Sequence, residues 1–130
     1  MRTDVSTGFV LAAMLFCHVL DDYGLQAKIL SSLKQRSWWE TNAPDPLYRY
    51  DYLMALAMHA LSWTFLVHLP LAWLYGFNPE WPFFALFIFN AACHAGIDHL
   101  KANMKKINLV TDQLLHVIQI LLTYYALVMA

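Results

Sequence analysis

The stretch NAACHAGIDHL, residues 90–100, places His94 and Asp98 four residues apart. On a helix, residues at this spacing lie on the same face. Imidazole and carboxylate groups bind divalent transition metals and move protons in catalysis. The spacing therefore predicts a chemical site on one face of a helix whose sequence is otherwise strongly apolar.

Two further pairs repeat this spacing. His18 precedes Asp22 by four residues, whereas Asp112 precedes His116 by four in the reversed order. The reversal is what an antiparallel neighbouring helix needs if both of its residues are to align with those of its partner. With His59, these residues form the predicted metal-ligand set: His18, Asp22, His59, His94, Asp98, Asp112 and His116.

The elements that carry these residues have the composition of membrane helices. The chain of 130 residues is 60% hydrophobic and 13% charged, against about 45–50% and about 25% in soluble domains. Four apolar segments, about 8–30, 52–75, 82–102 and 108–129, are each near the ~20 residues that span a bilayer. We therefore predict an all-α fold, a membrane-embedded antiparallel four-helix bundle that occupies residues 1–130 as a single domain.

Charge placement predicts the orientation of this bundle. The side that holds an interfacial loop or surface helix at 31–51 and a short connection at 102–108 carries seven basic residues, whereas the other side carries only Arg2. By the positive-inside rule, both loops are cytoplasmic and both termini are periplasmic. The seven basic residues are Lys28, Lys34, Arg36, Arg49, Lys101, Lys105 and Lys106. With a net charge of −1, the chain has no basic field for nucleic acid.

Depth along the helices brings the ligand set together. At about 1.5 Å per residue, the four histidines share one level, and the aspartates lie one turn nearer the cytoplasm. Clustered carboxylates in a membrane are costly unless a cation lies between them. A mixed imidazole and carboxylate set favours one or two divalent ions, zinc first, with manganese or iron as alternatives. By rotation around their helices, His68 and His99 point away from this cluster.

Several nearby residues have a plain alternative interpretation. A single membrane histidine can simply form a hydrogen bond across helices, and Asp21 suits an interfacial charge at a helix end. Lys101, Lys105 and Lys106 suit topology determinants, and Cys17 and Cys93 suit packing positions. The residues predicted to support the ligands or to contact a substrate are Asp21, Gln26, Lys101 and Gln113.

The motifs resemble a family of small integral-membrane proteins of unknown function from bacteriophages and bacteria. The resemblance covers nearly the whole chain and rests on H-x3-D followed by L-Q at 18–26, H-x3-D followed by L-K at 94–101, and D-Q-x2-H at 112–116. The chain departs from the pattern at Asp21-Asp22 and Tyr23, where a single acid followed by an aromatic residue is expected. The resemblance implies a location in the inner membrane of a bacterial host and supplies no activity.

Three functions remain open from the sequence. The first is a metal-dependent hydrolase of a phosphoester or lipid-linked substrate, with Asp98 and Asp112 as catalytic residues. The second is a metal or proton conduit, although polar residues are scarce towards the periplasmic side. The third is a non-enzymatic membrane interaction protein with a structural metal site. Small residues around Ala91 and Gly96 indicate close helix packing, within one chain or in a homo-oligomer.

Overall fold

The computed structural model describes residues 5–26 and 28–130, which form helices and turns with no strand among them. Four stretches, Thr7–Leu25, Pro46–Leu74, Trp81–Ala102 and Leu109–Met129, are long and apolar enough to cross a membrane. The predicted all-α, four-helix architecture is thereby confirmed. The α-helices of the described residues are α1 (Val5–Val19), α2 (Lys28–Leu33), α3 (Arg36–Asn42), α4 (Asp51–Leu74), α5 (Trp81–Ala102) and α6 (Leu109–Tyr124).

The first span ends earlier than the sequence predicts. After α1 the chain makes a π-helical turn, Leu20–Leu25, which the Gln26 N–H closes by donating to the Asp21 carbonyl at 2.8 Å. Gln26 itself is extended, with φ −69° and ψ 96°. The prediction of one continuous helix through residue 30 is therefore wrong, because α2 is a separate helix. Residue 27, between the two, lies outside the described residues.

The segment predicted as an interfacial loop contains the end of α2, α3 and a 3₁₀ turn at Pro46–Tyr48. The side chain of Asn103, just after α5, holds the junction of α2 and α3. Its Oδ1 accepts from the Arg36 N–H at 2.7 Å, and its Nδ2 donates to the Lys34 carbonyl at 2.9 Å. The short helices are thus fixed to one end of the bundle, called here the α2–α3 end.

The two ends of the bundle have different interiors. Away from the α2–α3 end, the core is apolar and includes Val10, Met14, Val67, Leu71 and Ile120. Towards the α2–α3 end, the buried side chains are mostly histidine, aspartate and lysine. Large apolar side chains such as those of Phe16, Ile88 and Leu122 are exposed around the outside. This arrangement suits a lipid environment, because lipid solvates apolar side chains and leaves polar ones to the interior.

Candidate metal centre

The structure brings the four histidines of the predicted ligand set together, one from each long helix. The ring centroids of His94 and His116 are 4.1 Å apart, those of His59 and His94 are 5.0 Å apart, and those of His18 and His116 are 5.8 Å apart. All four side chains are buried. The matching depths inferred from sequence therefore correspond to a real cluster of rings.

Three aspartates of the same set lie among these rings. His59 Nε2 is 3.3 Å from Asp22 Oδ1 and 3.4 Å from Asp98 Oδ2. His116 Nε2 is 3.3 Å from Asp98 Oδ1 and 3.4 Å from Asp112 Oδ1. Each of these imidazole nitrogens therefore lies between two carboxylates, and Asp98 supplies one oxygen to each arrangement.

Two groups of side chains could hold a metal ion. The first is Asp22, His59 and His94, and the second is His94, Asp98 and His116; within each group the ligand atoms lie within 4.8 Å of one another. Neither ring nitrogen of His94 has a hydrogen-bond partner among the described residues. An imidazole that is fully buried without a partner is costly, so its surroundings favour a bound ion.

The distances within the cluster also fit a shared ion. Hydrogen bonds between charged groups are about 2.7–2.9 Å long, and the two lysine–aspartate pairs of the site have distances of 2.7 and 2.8 Å. The closest histidine–aspartate pairs, at 3.3–3.4 Å, are longer. Two ligands about 2.0–2.1 Å from one tetrahedral ion lie roughly 3.3–3.5 Å apart. The longer spacing therefore lies in the range that two ligands of one ion would have.

The tautomer of His116 shows that positive charge is needed at the same place. Gln119 Nε2 donates to Asn90 Oδ1 at 3.1 Å, so Gln119 Oε1 faces His116 Nδ1, also at 3.1 Å, and accepts its proton. A neutral His116 then presents the lone pair of Nε2 to Asp98 and Asp112. Lone pairs on all sides repel, so this position needs a cation, supplied either by a second proton on His116 or by a metal ion.

His18, a predicted ligand, stands outside both groups. Trp63 Nε1, which can only donate, bonds to His18 Nδ1 at 2.9 Å. Gln113 Nε2 donates to Asp22 Oδ2 and Asp112 Oδ2, so Gln113 Oε1 accepts from His18 Nε2 at 3.0 Å. Both ring nitrogens of His18 are therefore engaged, and the residue orients Gln113 instead of facing an ion.

Two lysines enter the site. Lys34, from the junction of α2 and α3, is buried, and its Nζ lies 2.7 Å from both Asp98 Oδ2 and Gln26 Oε1. Lys101 Nζ lies 2.8 Å from Asp112 Oδ2. The sequence suggests a topology determinant at both positions and, for Lys101, also a ligand support or substrate contact. No spacing or motif distinguishes Lys34 from the other basic residues of its segment.

Asp21 is buried, and the interpretation of an interfacial charge at a helix end is wrong. Its Oδ1 accepts from Ser62 Oγ at 2.6 Å, and its Oδ2 lies 3.4 Å from His59 Nδ1. The π-helical turn that begins at Leu20 is wider than an α-helical turn. This turn allows the consecutive residues Asp21 and Asp22 both to face His59.

Other residues singled out from the sequence lie elsewhere. His68 packs edge-on against Phe83, and His99 stacks on Tyr52. Within the site, the sequence did not identify Trp63, which stacks on His94 with a centroid distance of 4.3 Å. Its position four residues after His59 is the signal that could have identified it.

A cavity of about 280 Å³ leads to the cluster at the α2–α3 end. It combines ligand candidates of the first group with polar and cationic side chains. Its lining comprises Asp22, Tyr23, Gln26, Ser31, Lys34, His59, Asp98, Lys101, Leu109 and Gln113. All four residues predicted as ligand supports or substrate contacts are therefore near the cluster: three line this cavity, and Asp21 contacts His59.

The family comparison covers almost the whole chain. A family model described as "Protein of unknown function (DUF3307)" matches residues 10–130. No curated protein and no solved structure matches the chain. Its chemistry therefore has to be inferred from the side chains of the site.

Proposed function

The chain belongs to the DUF3307 family of unknown function, and we propose that it is an intramembrane metal-dependent hydrolase of a phosphoester or lipid-linked substrate. The observation that carries this proposal is the lining of the 280 Å³ cavity, where Asp22, His59 and Asp98 lie beside Lys34 and Lys101. Metal ligands next to ammonium groups in a water-accessible pocket suit the recognition of a phosphoryl group.

The chain's own residues have distinct tasks in this reaction. Lys34 and Lys101 bind the anionic oxygens of the substrate, and Gln113 holds Asp22 in position. Zinc, the first choice, or manganese or iron would polarise a phosphoryl oxygen and make a coordinated water more acidic. As water oxygen bonds to phosphorus and the bond to the leaving oxygen breaks, Asp98 takes a proton from water and returns it to the leaving group.

The position of the cavity limits the substrate. Asp98 and His94 lie four and eight residues before the end of α5 at Ala102, so the reacting centre lies roughly 6–12 Å from the membrane surface at about 1.5 Å per residue. A lipid head group, a lipid-linked phosphate or a soluble phosphoester reaches this depth from the α2–α3 end. Under the positive-inside rule this end faces the cytoplasm of a bacterial host, whose inner membrane is the proposed location.

The surroundings of Asp112 suit the predicted catalytic role less well than those of Asp98 do. Asp112 is fully buried and bonded to Lys101 and Gln113, whereas Asp98 lines the cavity. We therefore assign Asp98 to proton transfer and Asp112 to holding Lys101 and His116.

A structural metal site in a membrane interaction protein is the second candidate. It is favoured by the ion pairs of Lys34 with Asp98 and of Lys101 with Asp112, which neutralise two carboxylates without a substrate. A conduit is less favoured. The polar chain from His116 through Gln119 reaches Thr123 and then meets the apolar core.

The test is turnover by metal-loaded protein in nanodiscs with a phosphomonoester, a phosphodiester and phosphatidic acid as substrates. The Asp98→Asn variant should remain helical by circular dichroism with a lower unfolding temperature, because Lys34 loses its ion-pair partner. Turnover per metal-loaded molecule should fall about 10²–10⁴-fold, as for loss of a general base. Asp51→Asn, at the start of α4 outside the site, is the matched control and should keep wild-type turnover.

Two outcomes would contradict the hydrolase. One is no turnover above that of free metal with all three substrates in the loaded wild type. The other is turnover in the loaded wild type that is unchanged after its metal has been removed with a chelator. If the wild type has no turnover, loss of metal and of thermal stability together in Asp98→Asn would favour the structural site.

A further inference from the structure

We propose that the site holds two metal ions in unequal positions, an exchangeable outer ion and an occluded inner ion. This inference rests on the proposed function for its substrate class. The geometry that carries it is the division of the cluster into two ligand groups, Asp22, His59 and His94 on one side and His94, Asp98 and His116 on the other.

The outer position borders the cavity. Asp22 and His59 both line the cavity, and Asp98 presents Oδ2 towards them, 3.4 Å from His59 Nε2. Lys34 bonds to the same Oδ2, and a carboxylate oxygen can accept a lysine and bind an ion with its two lone pairs. An ion held there meets water and substrate directly.

The inner position lies deeper in the bundle. His94 and His116 are fully buried and are not among the described residues that line the cavity. Asp98 presents Oδ1 to this side, 3.3 Å from His116 Nε2, and Asp112 Oδ1 lies 3.4 Å from the same nitrogen. Asp98 therefore bridges the two positions. His94, whose two ring nitrogens lack partners among the described residues, can complete either group.

Charge predicts how the two positions interact. When ionised, the carboxylates of Asp21, Asp22, Asp98 and Asp112 carry four negative charges, and the two lysines paired with Asp98 and Asp112 carry two positive charges. The first divalent ion neutralises the remainder. The second adds two positive charges at the cavity, which match a phosphate dianion. Phosphate and the outer ion should therefore strengthen each other's binding, since coupling between two ligands is reciprocal.

The experiment follows zinc release from the fully loaded wild type in nanodiscs, with a chromophoric chelator in excess. Two equivalents should leave in two phases, one fast and one slow, because release of the inner ion requires a local opening of the bundle. Inorganic phosphate should slow the fast phase about fivefold or more and leave the slow phase unchanged. The inference would be overturned by release of only one equivalent in total or by release of both equivalents in a single phase. A phosphate effect on the slow phase would also overturn it.

Variants assign the phases to positions. Asp22→Asn should lose the fast equivalent alone, and His116→Gln should lose the slow one. His68→Gln, a buried histidine of α4 packed against Phe83 outside both groups, should keep both. The reverse assignment in folded variants would contradict the proposal. If a variant does not fold, the two release phases of the wild type test the two-ion site without it.

This inference and the hydrolase can fail separately. Biphasic release of two equivalents without turnover retains the two-ion site and rejects the hydrolase. Turnover with a single equivalent retains the hydrolase and rejects the two-ion site.

Discussion

Asp98 joins two kinds of interaction that have different consequences. Its contact with Lys34 at 2.7 Å has the length of a direct ion pair, whereas its contacts with His59 and His116 at 3.3–3.4 Å do not. The lysine is thus a built-in counter-ion, and the spaces next to the histidines are where further positive charge fits. Stability and metal binding should consequently be coupled through this carboxylate.

Replacing Lys34 tests that coupling. Lys34→Met keeps the apolar stem and removes the ammonium group, which leaves the Asp98 carboxylate buried without its ion-pair partner. Breaking a buried pair in this way costs about 3–5 kcal/mol. We expect a large fall in the thermal unfolding temperature of metal-free protein in detergent. Saturating zinc should reduce the loss, because the ion replaces part of the missing positive charge.

Arg36→Met is the matched control for this measurement. Arg36 also pairs with a carboxylate, that of Glu40 at 2.8 Å, but both side chains are more than half exposed. An exposed pair contributes about 0–1 kcal/mol, so this variant should unfold close to the wild type with or without zinc. Equal losses in the two variants would show that the buried pair is no more important than the surface one.

Local spacing explains which site residues the sequence could predict. His94 with Asp98 and His116 with Asp112 are four residues apart on regular helices, so periodicity alone places each pair on one face. Lys34 reaches the site through the path of the chain between helices, which periodicity does not encode. Similarly, the bond from Trp63 Nε1 to His18 Nδ1 joins α4 to α1, and the spacing within one helix does not encode a contact between two helices.

At the scale of the elements, the long helices could be predicted and the path between them could not. The helices α4, α5 and α6 each begin within one residue of the start of the corresponding predicted segment. The first segment differs because a π-helical turn and the extended Gln26 end it at Leu25. Hydropathy detects that a segment is apolar, but it does not distinguish an α-helical from a π-helical turn.

Asn103 should control the placement of α2 and α3. Its side chain bonds to the backbone of Arg36 and Lys34, and one of these bonds is exposed while the other is partly buried. Asn103→Ala removes both bonds, at a cost of about 0.5–1.5 kcal/mol each. Because only the short helices depend on these bonds, we expect faster hydrogen exchange in residues 28–42. Exchange in the long helices should be unchanged, as measured by mass spectrometry of protein in nanodiscs.

Asn42→Ala provides the comparison for Asn103. Asn42 is exposed, and its Nδ2 donates to the Trp38 carbonyl of its own helix at 2.9 Å. Its loss should affect α3 locally without releasing the junction next to Lys34. If Asn103→Ala left exchange at residues 28–42 unchanged, the docking of these helices would have to depend on other contacts.

At the scale of the whole molecule, polarity is distributed along the bundle axis. The apolar core around Met14, Leu71 and Ile120 closes one half, and the cavity with its lysines opens the other half at the α2–α3 end. Access to the site is thus one-sided. The identity of the compartment that supplies a substrate depends on which way the bundle lies in the membrane.

The basic residues predict that the α2–α3 end faces the cytoplasm. The sequence predicts seven lysines and arginines on that side against Arg2 on the other, and Arg2 lies outside the described residues. Two of the seven, Lys34 and Lys101, are ion-paired within the site. Since the rule counts basic residues near the ends of spans and gives acidic ones little weight, the five others still exceed the single arginine and maintain the prediction.

Reporter fusions in bacterial cells measure this orientation. Alkaline phosphatase fused after Ala130 should be active, because it folds only outside the cytoplasm, and a fluorescent protein fused there should remain dark. A fluorescent protein inserted after Lys105, in the connection between α5 and α6, is the matched control and should be bright. The opposite pattern would place the cavity on the periplasmic side. Substrates would then have to come from that side, and the proposed cytoplasmic phosphoester would be excluded.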